Sequence, residues 1–144
     1  MDYLEEWISN NSSTYSALTK RDKIALMRQW RQIYAGDAVL DGIDARAFTV
    51  GETKCLKGAV AEVEFVKVPP ASIYVIPSDD SNGYLCEATP ADLVFRDVPC
   101  GLLLYVFDKE QTWTMVFSYD CCGGAWGPFF SRKEWTSGAS QMAP

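Results

Sequence analysis

The sequence predicts an α+β fold: two N-terminal helices followed by a mostly antiparallel β-sheet, with a central hairpin at 102–119. Three observations carry this. Helical periodicity is confined to the stretch before Gly36. After it, apolar residues alternate with polar ones in short runs separated by Pro and Gly. Residues 102–119, LLLYVFDKEQTWTMVFSY, then read as two strands around a polar Asp108-Lys109-Glu110-Gln111 turn.

Residues 2–9, DYLEEWIS, form the first predicted helix. Asp2 caps it, Glu5 and Glu6 suit its positive end, and Leu4, Trp7 and Ile8 make an apolar stripe. Asn10 to Ser13 is a polar break. Thr19-Lys20-Arg21-Asp22 resembles a capping box and opens the second helix, which runs to Gly36. Its core stripe is expected at Ile24, Met27, Trp30 or Arg31, and Tyr34, widened by Leu26 and Ile33.

Beyond Gly36, Ala45 to Val50 is read as a strand and 51–54 as a turn. Ala59 to Val68, AVAEVEFVKV, alternates and is expected to be a stronger strand, with Glu62 and Glu64 on one face, ended by Pro69-Pro70. Ser72 to Ile76, Tyr84 to Glu87 and Leu93 to Phe95 are shorter strands, and 78–83 is a loop. In the hairpin, pairing Phe107 with Thr112 sets Val106 opposite Trp113, Leu104 opposite Met115 and Leu102 opposite Phe117, all on a core face. The other face carries Leu103, Tyr105 and Phe107 opposite Val116, Thr114 and Thr112. It is uncharged and half apolar, so a helix of the same chain is expected to cover it. Three Gly and a Pro make 120–128 a structured loop, and Phe129 to Trp135 returns as an edge strand or a helical turn. At this length the reading is a single domain over 1–135 with a flexible C-terminal tail over 136–144.

Composition narrows function. The net charge of −6 is uneven: residues 1–19 carry −3, residues 20–36 carry +4, and residues 37–144 carry −7. An acidic body disfavours nucleic acid, which needs clustered Lys and Arg, and suits a basic protein partner. The absence of His removes His-based triads and His metal ligation. No phosphate-binding glycine loop or zinc-protease pattern occurs, so no cofactor or metal is expected. The start of the chain has no basic, apolar leader and no run approaches a membrane span, so a cytoplasmic protein is expected. Five cysteines, an odd number without framework spacing, fit reduced thiols. Cys100, Cys121 and Cys122 gather at the open end of the hairpin. They are the one constellation for a thiol enzyme or metal site, though adjacent cysteines ligate one metal poorly.

In size, acidity and lack of catalytic motifs the chain resembles the small immunity proteins that neutralise bacterial toxins, and phage-encoded inhibitors. The resemblance implies a bacterial, non-enzymatic inhibitor that blocks a toxin or effector. The expected contacts are Glu62, Glu64, Asp79, Asp80, Asp108, Glu110, Asp120 and Trp126, with electrostatic steering followed by burial of an aromatic anchor. The alternatives are the thiol site and a structural subunit, such as a homodimer pairing through Leu103, Tyr105 and Phe107.

Overall fold

The computed structural model describes residues 3–12, 14–35, 54–95, 102–118 and 128–136. Their frame is a seven-stranded sheet in which every pairing is antiparallel. The α+β class is therefore correct. The elements are α1 (Tyr3–Asn11), β1 (Thr14–Ala17), α2 (Lys20–Trp30), β2 (Leu56–Lys57), α3 (Ala59–Val66), β3 (Ala71–Pro77), β4 (Tyr84–Ala88), β5 (Leu103–Asp108), β6 (Trp113–Ser118) and β7 (Phe129–Arg132). The strand order is β1-β4-β3-β5-β6-β7-β2.

Alternating side chains divide the core into two layers. On one face Leu104, Val106, Trp113, Met115 and Phe117 pack with Leu4 and Ile8 of α1 and with Ala61 and Phe65 of α3. On the other, Tyr105, Phe107, Val116 and Phe129 pack with Trp30, Tyr34 and Ala35. The uncharged hairpin face is thus covered from within the chain by α2, as its composition required.

Helix α2 begins where the sequence marks it: the Thr19 hydroxyl accepts the Asp22 N–H at 3.0 Å. Its end is unexpected. Arg31–Ala35 forms a π-helical turn, which sets Tyr34 and Ala35 into the core beside Trp30. Of the predicted stripe, Trp30 and Tyr34 are buried and Met27 partly so, whereas Ile24 is 52% exposed.

Several expectations are corrected. Ala59–Val66 is a helix, not a strand. Its alternation competes with an i, i+4 pattern, Ala61 and Phe65, and both of these are fully buried. Leu93 to Phe95 is not a strand, because Pro90 starts a 3-10 turn, Pro90–Leu93. The polar Asn10 and Asn11 continue α1, and uncharged Thr14–Ala17 forms an edge strand that carries no apolar alternation to announce it. Phe129–Arg132 is an interior strand between β6 and β2, followed by one helical turn at 133–136.

The hairpin exists with a shifted register. Phe107 pairs with Thr114, Val106 with Met115 and Leu104 with Phe117. The shift is two residues, so both faces keep their membership. Its cause is the turn: Gln111 has φ +58, and the Gln111 N–H donates to the Asp108 carbonyl at 2.9 Å. That left-handed residue is third in a four-residue loop, 109–112, closed by Asp108 and Trp113, one position later than the expected 108–111.

The predicted strand 45–50, most of the turn after it, Cys100, Asp120, Cys121, Cys122, Trp126 and residues 137–144 lie outside the described residues.

Candidate functional site

Helix α3 is joined to its surroundings at its start by Gly58, whose N–H donates to the Pro128 carbonyl at 2.9 Å and whose φ is +64. A positive φ there favours glycine and lets the chain turn from β2 into the helix. Phe65 anchors the buried side, edge-on to Trp113 at 5.7 Å and to Phe117 at 5.5 Å between ring centroids. Aromatic contacts of this kind set the rotation of the helix about its axis.

That rotation decides what faces outward. Residues three apart lie on one helical face, so Val60, Val63 and Val66 line up opposite Ala61 and Phe65. They are 58%, 52% and 41% exposed. The described residues include five large exposed hydrophobic side chains, the other two being Tyr3 and Ile24, so three of five fall on this one helix. Glu62 and Glu64 do not share a face, as a strand would have placed them. They flank the valine stripe on its two sides, about 160° apart around the axis. Glu64 pairs with Lys67 at 3.3 Å. Exposed pairs of this kind contribute at most about 1 kcal/mol.

The other predicted contacts are scattered. Asp79 and Asp80 are exposed in the loop from β3 to β4. This loop is tied to α2, because Lys23 Nζ donates to the Asp79 and Ser81 carbonyls, each at 2.6 Å. Burial lowers the Lys23 pKa while Asp79 and Asp80 act to raise it. Glu110 is exposed in the β5–β6 turn, at the opposite end of the strands, since Pro77 pairs with Leu104 and Ile73 with Asp108. Asp108 is not a surface contact at all. It is 6% exposed, and its carboxylate accepts the Thr112 N–H at 2.6 Å, the Trp113 N–H at 3.3 Å and the Thr112 hydroxyl. A carboxylate holding three donors closes the turn.

The thiols within the described residues are unsuited to nucleophilic work. Burial, with help from Glu87, pushes Cys86 up to about 11, against a smaller opposing effect of Ser12. Burial also raises Cys55, with Lys57 opposing. Nucleophilic thiols need the reverse shift. Tyr34 is likewise raised, first by burial and then by Asp108, with Arg132 opposing. Among the described residues no three Cys, Asp or Glu side chains are grouped to hold a metal, and no helix is long and apolar enough to cross a membrane.

The valine stripe escaped the sequence reading because a strand divides Val60, Val63 and Val66 between two faces. Their i, i+3, i+6 spacing was the available signal.

Comparison of the chain with protein-family models, with curated proteins and with solved structures found no match.

Proposed function

We propose that this chain is a non-enzymatic protein-binding domain that occupies and blocks a partner, a toxin or effector with a basic, apolar surface, through the outer face of α3. The observation that carries the reading is the stripe of Val60, Val63 and Val66 standing in solvent between two glutamates. An apolar stripe rimmed by charge is the usual anatomy of a protein contact. Valines supply the area that leaves water, and Glu62 and Glu64 favour a positive rim on the partner. The net charge of −7 over residues 37–144 adds long-range attraction for such a partner.

In this reading Glu62 and Glu64 keep the role the sequence suggests, and the valines replace Trp126 as the apolar anchor. Asp108 drops out. Asp79, Asp80 and Glu110 contribute only to the general field.

The test is affinity capture of the tagged chain from lysate of its source cells at low and high salt, followed by mass spectrometry. The expected result is one stoichiometric basic protein, weakened by salt. Replacing Glu62 and Glu64 by Lys lowers that affinity and flattens its salt dependence. Unchanged affinity and salt slope would remove this face from the interface.

A further inference from the structure

We draw no further inference here: the strongest candidate, the outer edge of β1 at one end of the sheet, carries nothing because the structure does not show what covers it, and Lys20, Arg21 and Lys23 beside Asp22, Asp79 and Asp80 at its Leu18 end favour no one partner.

Discussion

The indole N–H of Trp30 donates to the Thr114 hydroxyl at 2.8 Å, and that hydroxyl donates to the Val106 carbonyl at 3.1 Å. This chain of bonds joins α2 to the middle of the sheet in a layer where Trp30, Thr114 and Val106 are all fully buried. Thr114→Val keeps the shape and takes away the acceptor. The expected loss is about 1–3 kcal/mol, because a buried donor loses its partner. Urea unfolding followed by tryptophan fluorescence measures it.

Helix α3 has one face in the core and one in solvent, and substitutions separate the two. Phe65→Ala removes a fully buried ring in contact with Trp113 and Phe117, and a loss of about 3–5 kcal/mol is expected. Val63→Ser, on the solvent side, is expected to change stability by about 0.5 kcal/mol or less. Were residues 59–66 a strand, Val63 and Phe65 would share a face and respond alike. Thermal denaturation of the two variants side by side makes the comparison.

Gln111 occupies the left-handed region at φ +58 in the β5–β6 turn. Its Nε2 donates to Gln29 Oε1 at 2.9 Å, while its own Oε1 is buried with no hydrogen-bond partner. Gln111→Gly relieves the backbone and removes that orphan acceptor, at the loss of one partly buried bond. The net expectation is a stabilisation of up to about 1 kcal/mol, read as a rise in Tm.

Alkali is expected to destabilise the fold. Cys86 is pushed from 9.0 to about 11 by burial, and Tyr34 is raised as well. For both, the folded state holds its proton more tightly than the unfolded chain. Their contribution is complete below the unfolded values and is lost as pH rises from 9 through the folded ones. Chemical denaturation at pH 7, 9 and 10.5 should show a falling midpoint above 9, and Cys86→Ala should reduce the slope near pH 10.

The legible parts of the fold were those where local signals agree. Thr19 and Asp22 mark the start of α2 through a side-chain cap, and the parity of Leu104, Val106, Met115 and Phe117 identifies a core face in any register that is even-shifted. Three features depended on information outside the local pattern. Ala59–Val66 is rich in β-branched residues, so its strand-like alternation masked a helix held by Phe65. Gln111 is not a residue type that announces a left-handed turn, so the hairpin register moved. Thr14–Ala17 pairs only because β4 is there to receive it. The acidic residues were legible as surface charge, but which of them lie together was not. Glu62 and Glu64 separate around a helix, Asp79 and Glu110 lie at opposite ends of the strands, and Asp108 is buried in its turn.

The most direct measurement is paired capture from lysate of the source cells with the natural chain and with Val63→Asp, after circular dichroism shows that both are folded. The expected result is a basic protein retained stoichiometrically by the natural chain and lost from the variant, since a charge at 52% exposure leaves the fold intact but ruins an apolar contact. Equal retention of the same protein by both chains, or retention by neither, would contradict binding through the outer face of α3.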